Sequence, residues 1–435
     1  MVKNARVNSK RRVVVTGLGL VTALGLDVEE SWRKALAGTP GIHRITYPEA
    51  EKSPVQAVGE VNSSDWQRIT EEFQKEAATE GERKTLFALW AARRALEDAG
   101  LKNDPGPRDR YGVVMASGLG INRLEDIHRW ITTDKRFDVV RFGKEYDQTH
   151  RESIMRNNSN RTAALIADKF NLHGLNSTVT SACASGTQAA GIGFRAIQTG
   201  EADLIAIGGA DSMINPVGLV FFVLLSAAST SADVPETLCR PFDRKRSGLV
   251  MGEGAGVVVL EDETHALQRG ARIYAEVGGY GASLDSYQVT APHPQGRGAE
   301  QSMRAALRDS GLQPEEIDYI NAHGTSTKLN DAIETLAIKK VFGEHARKMT
   351  ISSTKSLIGH LLSASGAPEL AFTVLTVARD EIHPTLNLGH PDPKCDLDYV
   401  PNKGRSQKVR AALSNSFGFG GQNGSIVVKK YERCQ

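Results

Sequence analysis

Residues 94–101 read RALEDAGL and residues 305–312 read AALRDSGL, with Ala, Leu, Asp, Gly and Leu at matching places. Each copy has the composition of a helix and closes on a glycine, the residue that most readily ends one. Each is followed by a proline-containing loop and then a strand running into small residues, YGVVMASG at 111–118 and IDYINAHGTS at 317–326. The strand ahead of the first copy, VVVTGLG at 13–19, is mirrored by YAEVGGYG at 274–281. A segment and an order of elements that both repeat point to duplication, so the chain reads as two similar α/β halves rather than two unrelated domains. The boundary falls near Glu261–Arg272, giving an N-terminal arm over 1–11, a first half over 12–265 and a second over 266–435.

Short Val/Ile/Ala runs precede glycine clusters and alternate with Ala/Leu-rich helical stretches, as expected for strands buried on both faces. The strand candidates are Arg12–Thr16, Tyr111–Ala116, Leu204–Gly208, Gly256–Leu260, Tyr274–Val277, Ile317–Asn321 and Ser425–Val428. A site between two such halves draws residues from the C-terminal ends of strands in both.

At 435 residues a large core is available, and 24% charged residues with a net charge of +2 describe an ordinary globular protein with no nucleic-acid signature. The longest apolar run, Val217 to Ala228, falls short of the roughly 20 residues that span a bilayer, so it reads as core or an oligomer contact rather than a membrane segment. Residues 1–12 are basic, but no apolar signal segment follows them, and a frayed arm is the plain reading. Cys183, Cys239, Cys395 and Cys434 have neither disulfide-framework nor zinc spacing, so a reducing cytoplasmic location is expected, or an organellar matrix if the source is eukaryotic.

Cys183 lies in STVTSACASGTQAAGIGFRAI, where a β-type run passes through small residues into an Ala/Gly-rich helix. A helix N-terminus offers free amides and a positive dipole end, which lower a thiol pKa from about 8.5 and suit an oxyanion. The alternative is a small buried cysteine at a strand–helix junction. Cys239, Cys395 and Cys434 lack this setting.

His323, in INAHGTSTKLNDAIETLAI, closes a strand; His360, in ISSTKSLIGHLLSASGAPELAF, follows Lys355 by five residues. Either could be a hydrogen-bonded core histidine. A zinc site would need more ligand support than two imidazoles and a thiolate, and no H-E-x-x-H occurs.

Taken together, SACASG around Cys183, HGTST at 323–327, SSTKSLIGH at 352–360 and SNSFGFGG at 414–421 resemble the elongating β-ketoacyl-acyl carrier protein synthases, the type II enzymes of fatty-acid biosynthesis in particular. PFDRKRSGLVMGEGAG at 241–256 strengthens the likeness, which covers nearly all of residues 11–430. The resemblance implies a thiolase-type fold, two duplicated α/β halves packed as an α-β-α-β-α sandwich, usually in a homodimer. It implies that Cys183 carries an acyl chain received from acyl carrier protein, and that His323 and His360 stabilise the enolate left when malonyl-carrier protein loses CO2. Lys355 corresponds to the active-site lysine and Glu369 to its buried acidic partner, with Asp331 and Glu334 as supporting acids.

The resemblance makes the amides of Cys183 and Phe419 the oxyanion donors. In SFGFGG, Phe417 and Phe419 alternate with flexible glycines, and Phe419 is read as the gate of the acyl pocket, whose wall includes Phe222 and Leu124. The resemblance implies that catalysis requires no cofactor. Asn321, Glu369, Ser414 and Asn415 match positions where relatives hold a structural monovalent cation, Na or K, and all four are oxygen donors. Three departures stand out. Gln422 replaces Thr or His, Ser363 and Ser365 replace Gly and Ala, and Pro368 precedes Glu369, where it is expected to kink the helix and disturb that carboxylate. Two rivals share the fold: a polyketide ketosynthase, and a non-catalytic chain-length partner subunit, which the intact Cys183, His323, His360 and Lys355 argue against. An initiating synthase would be expected to have Asn where His360 stands.

Overall fold

The computed structural model describes residues 10–46, 52–102, 108–118, 128–148 and 158–433. Its principal elements form two series in the same order. The first is β1 (Val13–Val21), α1 (Arg83–Asp98), β2 (Tyr111–Ser117), α2 (Arg161–Phe170), β3 (Asn176–Val179), α3 (Ser185–Gln198), β4 (Leu204–Asp211) and β5 (Gly254–Asp262). The second is β6 (Ala275–Leu284), α4 (Arg297–Ser310), β7 (Tyr319–Asn321), α5 (Lys328–Phe342), β8 (Thr350–Ser352), α6 (Gly366–Arg379), β9 (Ala411–Phe417) and β10 (Gln422–Lys429).

The ten strands lie in the order β8-β7-β9-β10-β6-β1-β5-β4-β2-β3. Each half therefore has the same five-strand order. In each, the second strand runs parallel to the third and fourth, and the fifth runs antiparallel to the fourth and first. The halves join where β1 pairs antiparallel with β6, Val13 opposite Val277, Val14 opposite Glu276 and Val15 opposite Ala275. That register places a local two-fold axis at Val14 and Glu276.

Helices α3 and α6 pack against strands of both halves, so they form a central layer with half of the sheet on either side. Helices α1 and α2 cover the outer face of the first half, and α4 and α5 that of the second. The buried side chains divide accordingly. One cluster between the halves contains Phe194 and Phe372, and an outer cluster lies under each cover, around Phe87 and around Phe342. The five layers expected from the resemblance are present.

The repeated sequences have a shared physical cause. In β1 a bulge at Thr16 frees the Leu18 amide, which donates to Asp98 at 2.9 Å; in β6 a bulge at Gly278 frees the Tyr280 amide, which donates to Asp309 at 3.0 Å. Asp98 and Asp309 are the matching acids of the two helical copies. The paired glycines are explained by helix contact: a Cβ on Gly19 would stand 2.0 Å from the Ala91 carbonyl oxygen, and one on Gly281 2.2 Å from that of Ser302. Each half thus lays a helix backbone directly on its first strand.

Strands β8 and β9 are absent from the sequence-based set, and β3 is read there only as the β-type run ahead of Cys183. Strand β8 has three residues and β9, AALSNSF, is built of small and polar side chains that carry little strand signal. The expected kink at Pro368 does not occur. Pro368 is the third residue of α6, where a helical amide has no partner one turn back, and the first backbone bond runs from Glu369 N–H to Ser365 O at 3.2 Å. The run at Val217–Ala228 is divided. Helix Pro216–Leu224 buries Leu219 and Phe222 but exposes Val217, Val220, Phe221 and Leu224. Among the described residues no helix is long and apolar enough to cross a membrane.

Because Asp98 also accepts from the Tyr274 hydroxyl at 2.9 Å, Asp98→Ala removes the acceptor for two partly buried donors. We expect it to lower unfolding stability by about 1–3 kcal/mol, measured by urea denaturation; an unchanged midpoint would show that the bulge needs no cap.

Candidate active site

Cys183 stands on the turn from β3 into α3. Ala182 before it has φ 49°, in the left-handed region that L-residues enter at a cost. The turn is held from inside: Ser181 N–H donates to Ser185 Oγ at 2.7 Å, and the Ser185 hydroxyl donates to Ala182 O at 2.6 Å. The backbone N–H of Phe419, on the turn between β9 and β10, faces the Cys183 thiol and favours its thiolate form. This approach needs Gly418, since a Cβ there would stand 2.9 Å from Cys183 N and 3.1 Å from Ala184 N.

His323 leaves the end of β7 on a turn gripped by α5. The amides of His323 and Gly324 donate to the two oxygens of Glu334, both at 2.8 Å, and Thr325 N–H donates to Asp331 at 3.0 Å. The other Asp331 oxygen accepts Phe242 N–H at 2.9 Å, and Arg246 stands behind it at 3.6 Å while donating to the carbonyls of Thr327 and Lys328. Asp331 and Glu334 are thus buried clamps for the histidine turn. Arg246 completes them, and its signal in the sequence was the unassigned basic centre of PFDRKRSG.

Lys355 and His360 come from the connection between β8 and α6. Lys355 Nζ donates to Glu369 Oε1 at 2.5 Å and stands 3.2 Å from His323 Nδ1. His360 Nδ1 accepts Leu362 N–H at 3.1 Å and is 2.8 Å from Ser365 Oγ. The two imidazoles meet edge to face with centroids 5.3 Å apart, and the Phe417 ring lies 5.9 Å from His323. The orientation of Glu369 is therefore intact despite Pro368.

Burial pushes both histidines well below the usual imidazole range, and the Lys355 charge acts in the same direction. Both are neutral at pH 7, with one N–H each. In His323 the Nδ1 lone pair faces the Lys355 ammonium; in His360 it accepts a backbone amide. The hydrogen-bond network thus assigns the ring proton to Nε2 in both. Burial lifts Glu369 and Glu334 to about 7, in Glu369 against the pull of Lys355, whose 2.5 Å contact is that of an ion pair.

The thiol departs from the sequence expectation. Burial pushes Cys183 up to about 11, outweighing the Lys355 charge and the Phe419 amide that favour the thiolate. The resting nucleophile is a neutral thiol beside neutral imidazoles.

A cavity of about 470 Å³ is lined by Cys183, His323, His360, Phe417, Phe419 and Thr325. Phe222 is not on its wall. It belongs to an apolar cluster with Leu219, Leu249 and Met251, against which Phe419 packs. Leu124 and Cys434 lie outside the described residues. Of the four oxygen donors singled out for a cation, Glu369 Oε2 and Ser414 Oγ are buried without a hydrogen-bond partner. Asn321 Oδ1 accepts the Thr354 hydroxyl at 3.2 Å and Asn415 Oδ1 that of Ser425 at 2.8 Å. Two orphaned buried oxygens are a fit for a hard monovalent ion.

Residues 10–266 match the family described as Beta-ketoacyl synthase, N-terminal domain, and residues 274–389 its C-terminal domain. A 3-oxoacyl-[acyl-carrier-protein] synthase 2 of Synechocystis sp. is 41% identical over 423 residues, 97% of this chain and 99% of that protein. The synthase of the same name from Staphylococcus aureus (strain COL) is 38% identical over 427 residues, 98% of this chain and 100% of that one. Among solved structures, a beta-ketoacyl synthase from Burkholderia phymatum superposes with TM-score 0.85 at 34% identity, covering 97% of this chain and 100% of that chain. A type II PKS ketosynthase complexed with its acyl-carrier protein gives 0.87 at 33%, with the same coverage.

A thiol raised to about 11 stays mostly protonated through the neutral range. Carbamidomethylation of Cys183 by iodoacetamide, followed by peptide mapping, should therefore keep accelerating from pH 7 to about pH 10. A plateau below pH 8 would contradict the burial argument.

Proposed function

The chain belongs to the beta-ketoacyl synthase family, and from that premise we propose that it is a 3-oxoacyl-[acyl-carrier-protein] synthase, elongating an acyl chain held on Cys183 by decarboxylative condensation with malonyl-carrier protein. The observation that carries the reading is the convergence of one thiol and two neutral Nε2–H imidazoles on a single cavity.

In the first half-reaction the Cys183 sulfur attacks the acyl thioester of the carrier, and the thiol proton leaves with the departing carrier thiol. Malonyl-carrier protein then enters. Its carboxylate departs as CO2, and the electron pair forms an enolate whose oxygen accepts the Nε2–H groups of His323 and His360. Neutral donors fixed in a buried site stabilise that charge without reorganising. The enolate carbon attacks the acyl–Cys183 carbonyl, and the amides of Cys183 and Phe419 hold the oxyanion. Collapse expels the Cys183 thiolate, which the Lys355 charge and the Phe419 amide favour, and uptake of one proton from solvent restores the resting thiol. A 3-oxoacyl-carrier protein leaves. The ring of Phe419, packed on the Phe222 cluster, is the gate between cavity and acyl pocket.

Glu369 and Ser414, aided by Asn321 and Asn415, would hold a Na or K ion, whose charge would help keep Glu369 ionised opposite Lys355. A polyketide role has support in the similarity to the type II PKS ketosynthase, but the 3-oxoacyl-[acyl-carrier-protein] synthases are the more similar in sequence. The buried free thiols Cys183, Cys239 and Cys395 support a reducing cytoplasmic setting, or an organellar matrix in a eukaryotic source.

The test is incubation with acyl- and malonyl-carrier proteins, read by intact mass. Wild type should gain an acyl adduct that Cys183→Ala lacks. His323→Ala and His360→Ala should acylate but condense about 10²–10³-fold more slowly. An equal adduct on Cys183→Ala would refute the assignment, and products extended by several unreduced units would favour the polyketide reading. The same assay in KCl and in choline chloride tells whether the ion contributes.

A homodimer is proposed on two surfaces: the exposed apolar face of helix Pro216–Leu224, and the outer edge of β3 at the end of the sheet, which pairs with no other strand among the described residues. Sedimentation should give twice the mass of one chain, and Leu224→Glu should lower it; a wild-type monomer at micromolar concentration would exclude the dimer.

A further inference from the structure

The segment between His360 and α6 contains two serines where the resembled family has glycine and alanine, and both hydroxyls reach buried partners. Ser363 donates through its hydroxyl at 2.6 Å and its amide at 3.1 Å to Asp211 Oδ2, at the end of β4. Ser365 Oγ lies 2.8 Å from His360 Nδ1. Just ahead of both serines Leu362 adopts φ 50°, and this left-handed turn aims its N–H at the same Nδ1. All these residues are at most 5% exposed.

A backbone amide can only donate, so Nδ1 of His360 is an acceptor, and the Ser365 hydroxyl beside it is therefore a second donor. The His360 backbone is fixed separately, its N–H donating to Val250 O at 2.7 Å and its carbonyl accepting Gly252 N–H at 2.9 Å. What remains free is rotation of the ring. One donor at 3.1 Å constrains that rotation loosely; two donors from different directions define it.

We propose that Ser365 is a positioning residue for the condensation step, holding the His360 ring so that its Nε2–H points at the enolate oxygen. The inference rests on the condensing reaction proposed above. Donation into Nδ1 also polarises the ring, so that the Nε2–H becomes a stronger donor to developing negative charge. Ser363 serves the same end at one remove, tying the left-handed turn to the first half of the molecule.

The test compares wild type with Ser365→Ala in the two half-reactions, together with the 15N resonances of histidine-labelled enzyme. The variant should acylate Cys183 at the wild-type rate, showing an intact fold and nucleophile. Its kcat for condensation should fall about threefold to tenfold, the scale of one lost hydrogen bond, with KM for malonyl-carrier protein unchanged. The His360 Nδ1 resonance should move toward that of an imidazole accepting one fewer bond. An unchanged kcat, or a parallel loss of acylation, would overturn the proposal. Absence of condensation by wild type would refute the underlying reading instead.

Discussion

Everything at the centre of this molecule depends on the crossing of α3 and α6 at their N-termini. Gly186 and Gly366 make it: a Cβ on the first would lie 2.8 Å from Ala367 N, and one on the second 2.5 Å from Thr187 N. Backbone meets backbone there, with no room for a side chain between. The turn carrying Cys183 enters one of these helices, and the segment carrying Lys355 and His360 enters the other. Contact between helix ends fixes the distance between nucleophile and imidazole, and the strands upstream need only deliver each chain to its place. Ser416 ties in the third contributor, the β9–β10 turn, through a 2.8 Å hydrogen bond to the Thr187 hydroxyl.

The electrostatics follow from putting these groups where water does not reach. Burial works against charge at Cys183, His323 and His360 alike, and one ammonium, Lys355, is shared among them. Its effect on each has a different use. It favours the thiolate when Cys183 is released as a leaving group, and it disfavours imidazolium at the histidines. Glu369 balances that charge from α6, so the helix that sets the geometry also supplies the counterion.

Much of this was legible in the sequence, for identifiable reasons. The duplication could be read because helix-on-strand contact demands glycine and the bulges demand an aspartate, and both leave marks at fixed offsets. The catalytic set could be read because reactive side chains stood among small residues in motifs that resemble those of the β-ketoacyl synthases, whereas the local residues alone left a buried cysteine and core histidines as alternatives. The protonation state of Cys183 could not, since the helix end predicts a lower value and burial, which no local segment reveals, decides the outcome. Arg246 and Ser365 stood in marked segments but their roles could not be read, because their partners lie far along the chain or within a turn whose left-handed geometry a leucine does not advertise. Pro368 misled for a related reason: its cost depends on its position in the helix, and that helix starts later than the apolar pattern indicates.

The register at the seam has an evolutionary reading. Val14 opposite Glu276 marks an axis about which one half maps onto the other, so the Cys183 turn and the His360 segment occupy equivalent places. Two identical polypeptides assembled about such an axis would have to bear the same residue on both sides, two thiols or two imidazoles. Only after the copies were fused into one chain could each side mutate alone. The division of labour between an attacking sulfur and a proton-bearing ring is thus a broken symmetry, for which covalent linkage of the two copies was the prerequisite.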